Sequence, residues 1–129
     1  MGTVSLDLIV VLTFTENLSR AATETGMKRL ALSNSDKQVR NWFVDTTKSL
    51  GCEVTVDKMG NIFAVRPGRR SGVAPIFVGS HLDTQPTGGR YDGILGVLAG
   101  VEMLKVLQDT NVETEYPIGV VNWTKYVTF

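Results

Sequence analysis

"VGSHLDTQPTGGRYDGILGV", residues 78–97, decides how the chain is read. It opens at the end of the apolar run "PIFVGS" (75–80), the pattern expected of a strand buried on both faces. From Gly93 the pattern turns helical. Ile94, Val97, Leu98, Val101, Leu104 and Leu107 form a broad apolar surface, and Glu102, Lys105 and Asp109 leave one polar stripe. "YPIGVVNW" (116–123) reads as a second buried strand. Strand 75–80, helix 93–108 and strand 117–123 therefore make a βαβ unit, with parallel strands and a right-handed crossover. In an α/β sheet of this kind the ligand crevice lies beyond the carboxyl ends of the strands. His81, the single histidine of the 129-residue chain, stands immediately past the first of those ends.

Upstream, Val39, Phe43, Thr46 or Thr47, and Leu50 recur at helical spacing, with Asp36, Lys37, Arg40 and Lys48 mostly elsewhere. Ser35 or Asn34 is the expected cap, and Gly51 the expected stop. "CEVTVD", "KMGN" and "IFAVRP" (52–67) read as strand, glycine-containing turn and strand, hence a hairpin. "RPGRRSGVA" (66–74) is a loop by composition. Residues 1 to about 22 carry no clear periodicity.

Thirteen basic and thirteen acidic side chains cancel, which disfavours nucleic acid and acidic membranes as partners. The early apolar run "LIVVLTF" (8–14) is too short to span a bilayer, which takes ~20 residues. It also lacks the flanks of a signal peptide, so a cytoplasmic location is the default expectation. The lone Cys52 has no internal disulfide partner, in keeping with a reducing compartment.

His81, Asp83 and Asp92 are the candidate chemistry. Imidazole suits zinc and neighbouring divalent ions, and a carboxylate can hold one ion or bridge two. Asp83, two residues along an extended segment, falls on the same side as His81. From there it can accept a hydrogen bond from the second ring nitrogen and orient the ring. Asp92 precedes Gly93 at the expected helix start, where it reads equally as an N-cap or as a ligand. Asp83 and Thr84 also suit an ordinary turn. Three such residues do not by themselves complete a tetrahedral zinc site.

"GSHLDTQPTGGRYDGILGVLAGVEML" (79–104) resembles the metal-binding core of the M20 metallopeptidase-like hydrolases, most closely the amidase, hydantoinase and carbamoylase branch. That branch includes N-carbamoyl-L-amino acid hydrolases and β-ureidopropionases. "GMKRLALSNSDKQVRNWF" (26–43), "VTVDKMGNIFAVRPG" (54–68) and "PIGVVNWT" (117–124) support the likeness. The resemblance implies an α/β fold: the N-terminal part of a zinc-exopeptidase-like catalytic domain, a central mixed sheet with flanking helices, truncated. It divides the chain into an unassignable segment 1–21, a partial catalytic domain 22–124 and a non-family tail 125–129.

By the same resemblance His81 ligates one metal, Asp92 bridges two, Asp83 orients His81, and Gln85 has a weak substrate-binding role. The cofactor implied is a pair of divalent ions, zinc or else manganese, cobalt or nickel. The substrate implied is a small N-carbamoyl or other linear amide, and the family's homodimers form through a domain not represented here. After "VVNWT" the family continues with Asn-Glu-Glu, its general base and a further ligand, whereas this chain reads "KYVTF". No useful catalysis is expected from the chain alone. Lys125–Phe129 is expected to be intron read-through or an equivalent gene-model error, since "KYV" can be encoded with a GTATGT donor. The alternatives are a non-catalytic metal- or partner-binding protein and a structural remnant. Loss of later strands is expected to leave strand 117–123 as an exposed apolar edge and to reduce solubility.

Overall fold

The computed structural model describes residues 26–124. The expectations for segment 1–21 and for tail 125–129 lie outside the described residues.

Helix α1 (Asn34–Ser49) begins where Ser33 accepts a hydrogen bond from the Asp36 amide at 3.2 Å. Asp36 in turn accepts from the Leu32 amide at 2.9 Å. Two helix-end donors are thereby satisfied reciprocally, a variant of the capping box. The cap is thus Ser33, and neither Asn34 nor Ser35 takes that place. At the other end Gly51 sits at φ 80°, the left-handed geometry that closes a helix, as its position suggested. Val39, Phe43 and Thr47 form the buried face.

Strands β1 (Glu53–Val56) and β2 (Ile62–Arg66) pair antiparallel in the expected hairpin. Its turn is held by the Asp57 carboxylate, which accepts from the Met59 and Asn61 amides at 2.9 Å each. Strand β3 (Ile76–Ser80), helix α2 (Ile94–Asp109) and strand β4 (Ile118–Asn122) complete the order. β3 and β4 are parallel, in register from Ile76↔Ile118 to Ser80↔Asn122, as a βαβ unit requires. The sheet is mixed, in the order β1-β2-β4-β3.

Both helices pack on one face of this sheet. Ile62, Ala64 and Val120 meet Val39 and Phe43 of α1 and Val97, Val101 and Leu104 of α2 in one buried cluster. Each such side chain contributes roughly 1.5–3 kcal/mol on burial. The opposite face carries Phe63, whose ring meets Phe77 and Trp123 edge-on at 5.6 and 5.7 Å.

The edges differ from expectation. β4, expected to be left exposed, is flanked by β2 and β3, and its residues Gly119–Asn122 are buried. β3, expected to be buried on both faces, is the outer strand: Ile76 is 55% and Val78 42% exposed. A continuous apolar run marks a strand suited to burial, but pairing order, which local sequence does not encode, determines which strand is covered.

Candidate metal centre

His81 follows β3 directly, so the parallel pairing with β4 fixes its backbone. Trp123 continues that pairing, its amide donating to the Ser80 carbonyl at 2.8 Å. The imidazole lies flat against Gly93, where any Cβ would overlap three ring atoms. Gly93 also adopts φ 82°, ψ −47°, a conformation that L side chains rarely take. One glycine therefore serves both the helix start and the seat of the ring.

His81 Nδ1 is 2.8 Å from the Asp83 backbone carbonyl and 3.4 Å from Asp83 Oδ1. A carbonyl only accepts, so this contact places a proton on Nδ1, and in the neutral ring Nε2 then presents its lone pair. The partner that orients the ring at hydrogen-bond distance is thus the main chain of Asp83, with its carboxylate just behind. Nε2 faces Asp92, whose Oδ1 is 3.9 Å away. Zinc binds nitrogen at about 2.0–2.1 Å and carboxylate oxygen at about 2.0–2.2 Å, so two donors on one ion stand at most ~4.3 Å apart. The observed separation fits a shared divalent ion.

Asp92 does not cap α2. The capping residue is Gly93, without a side-chain hydrogen bond, and the Asp92 side chain is 74% exposed. The carboxylate is consequently available at the rim. Gln85 is exposed, and its carbonyl accepts from the Gly88 amide at 3.1 Å to close a turn. Among the described residues no cluster of three or more His, Cys, Asp or Glu side chains could enclose a metal.

Three contributors were not singled out from sequence. Arg29 is 2% exposed, and its Nε donates to the Leu82 carbonyl at 2.8 Å. Burial lowers its pKa to about 10, against the opposing pull of Asp36 and Asp83. Thr84, also buried, hydrogen-bonds the strap Met27–Arg29 through both its amide and its hydroxyl. Asn122 lies at the carboxyl end of β4 beside Ser80, and among the described residues neither polar atom of its buried side chain has a hydrogen-bond partner. A basic residue in "MKRLAL" looks like surface from its neighbours, and only the tertiary position of the strap reveals otherwise.

No protein-family model matches the chain. An N-carbamoyl-L-amino-acid amidohydrolase from Rhizobium meliloti is 44% identical over 99 residues, which are 77% of this chain and 24% of that protein. The crystal structure of an amidase of the hydantoinase/carbamoylase family from Burkholderia multivorans superimposes with a TM-score of 0.85 at 46% identity, covering 95% of this chain and 28% of that one. Homologues of this chain are amidases of the hydantoinase/carbamoylase family. A ureidoglycolate hydrolase from Oryza sativa is similar at 31% identity over 96 residues, 74% of this chain and 20% of that protein. The chain spans about a quarter of the length of the curated relatives it matches. Its kinship is with hydrolases of C–N bonds. No helix of the described residues is long and apolar enough to cross a membrane.

Proposed function

We propose that this chain is the part of a metal-dependent amidohydrolase that supplies one imidazole and one carboxylate to a dinuclear centre, acting on linear amide C–N bonds of N-carbamoyl amino acids or similar ureido compounds. The observation that carries the reading is the 3.9 Å approach of His81 Nε2 to Asp92 Oδ1, with Nδ1 already engaged by the Asp83 carbonyl. His81 would hold one ion, and Asp92, with two oxygens, would bridge two. The ions, zinc or else manganese, cobalt or nickel, would supply a water activated near neutral pH and a polarised carbonyl. Asp83 orients the imidazole, and Gln85 at the rim would contact substrate weakly if at all. The compartment that suits the single buried thiol of Cys52 is the cytoplasm.

The 129-residue polypeptide alone is proposed to be inactive. His81 and Asp92 provide two donors where structural and catalytic zinc sites use three or four from the protein. The general base that the resemblance implies after "VVNWT" is a glutamate, a group typically worth about 10²–10⁴ in rate, and this sequence has "KYVTF" there. Calorimetric titration with zinc tests the first point, with weak binding expected that disappears in His81→Ala; tight uptake of two ions would refute it. Measurable hydrolysis of N-carbamoyl-β-alanine by the purified chain would refute the second.

A second reading, a non-catalytic partner-binding protein, is favoured by a different observation: the exposed outer strand β3 and the aromatic face beside it. Retention of a purified homologous amidase by the immobilised chain, lost in Val78→Lys, is its test.

A further inference from the structure

The strap Met27–Arg29 crosses directly under the turn that carries the candidate ligand. At its far end Met27 forms a two-way backbone bridge with Gly88, at 2.9 and 3.1 Å. At its near end Arg29 grips the turn three times. Its side-chain Nε donates to the Leu82 carbonyl at 2.8 Å, and its own carbonyl accepts from the Thr84 amide at 2.6 Å. Its amide also donates to Thr84 Oγ1 at 2.7 Å. Leu82 and Thr84 are the two neighbours of Asp83, the residue whose carbonyl accepts from His81 Nδ1.

Placing a guanidinium where it is 2% exposed costs several kcal/mol unless charge and hydrogen bonds compensate. A packed apolar side chain would fill the same space without that cost, so a demand beyond packing explains the charge. Leu82 is itself fully buried, and its carbonyl needs a donor. Without one at that position, the Leu82–Asp83 peptide would be free to rotate toward another partner, carrying the next carbonyl away from the imidazole.

We propose that Arg29 is a positioning residue for the metal ligand: by clamping the main chain on both sides of Asp83, it holds the Asp83 carbonyl against His81 Nδ1 and keeps Nε2 as the deprotonated, outward nitrogen. Arg29 touches neither substrate nor metal and acts only through the Leu82–Thr84 backbone. The proposal rests on reading His81 as a ligand, yet its signature is present before any metal binds.

Because His81 is the single histidine, ¹⁵N-labelled protein gives one imidazole spin system, and the tautomer can be read directly in metal-free protein at a pH where the ring is neutral. In the unsubstituted chain the proton is expected on Nδ1 by roughly tenfold, the ratio that one ordinary hydrogen bond maintains. Arg29→Met should cut that preference several-fold toward Nε2–H, and Arg29→Lys, which keeps a donor and a charge, should restore most of it. Asp36→Asn removes the charge that offsets Arg29 from the side of α1 without touching the turn. It should shift stability while leaving the tautomer in place, a separation that a purely structural role for Arg29 would not produce. If Arg29→Met fails to fold, the unsubstituted chain, Arg29→Lys and Asp36→Asn still decide. Nε2–H in the unsubstituted chain, an unmoved tautomer in folded Arg29→Met, or an equal shift in Asp36→Asn would each overturn the proposal. Absence of zinc binding with this tautomer pattern intact would instead strike the metal reading and leave the positioning role standing.

Discussion

Gly93→Ala is the sharpest perturbation the fold offers, because one methyl group meets two obstacles. The first is conformational. At φ 82°, ψ −47° an alanine bears about 1–3 kcal/mol of backbone strain. The second is spatial: the added Cβ would overlap Cε1, Nδ1 and Nε2 of His81, and displacing a packed ring typically costs about 1–3 kcal/mol more. Together these amount to about 2–6 kcal/mol, a large share of the roughly 5–15 kcal/mol that holds a domain folded. Urea and thermal unfolding followed by the fluorescence of Trp42 and Trp123 would read it, with the melting midpoint expected to fall by roughly 10 °C or more. Gly89→Ala is the matched control. That glycine lies in the same connection, has no positive φ, and a Cβ there meets nothing within 4 Å, so its change should stay within about 0.5 kcal/mol. The histidine resonances should move in Gly93→Ala and hold still in Gly89→Ala. Two variants of equal stability with identical imidazole signals would refute the claim that the ring is seated on Gly93.

Other consequences are open to equally direct measurement. Asn122→Leu replaces a buried amide that lacks partners among the described residues with an apolar side chain of similar shape, and should raise stability by about 1–3 kcal/mol in urea melts; a loss would show that the amide has a partner after all. Burial holds the Asp36 carboxyl above its ordinary value of 3.8, so the folded state keeps that proton longer than the unfolded state does. Its contribution is therefore full below pH 3.8 and is lost as pH rises through the folded value. The stability of the unsubstituted chain relative to Asp36→Asn should fall over that interval, and a difference growing with pH would reverse the sign of the argument. Val78→Lys on the outer strand should suppress self-association in sedimentation experiments by placing a charge on an exposed apolar edge; unchanged sedimentation would locate the sticky surface elsewhere.

Much of the architecture could be read from local pattern because local physics produces it. The period-3.6 run from Ile94 is a helix, "CEVTVDKMGNIFAV" is a hairpin, and the crossover makes β3 and β4 parallel. What local pattern could not reveal was partnership at a distance. β4 lies inside the sheet because β2 pairs on its other side, a contact some 55 residues removed in sequence. Asp92 looked like a cap from its place before Gly93, yet the positive φ of that glycine turns the chain so that the cap geometry is never formed. Asp83 was singled out for its carboxylate, whereas its main chain makes the closer contact. Charged residues next to apolar ones, as Arg29 is, look alike whether they face water or the interior.

The unequal surroundings of His81 and Asp92 carry a consequence for ion choice. The imidazole is seated against a glycine and hydrogen-bonded from behind, while the carboxylate stands mostly in water, without a side-chain cap bond to α2 to fix its rotamer. A caliper with one stationary jaw and one sliding jaw closes on objects of many widths. If the pair holds an ion as proposed, it would discriminate poorly between first-row cations of different radius, and any preference for one of them would have to be imposed by donors other than these two.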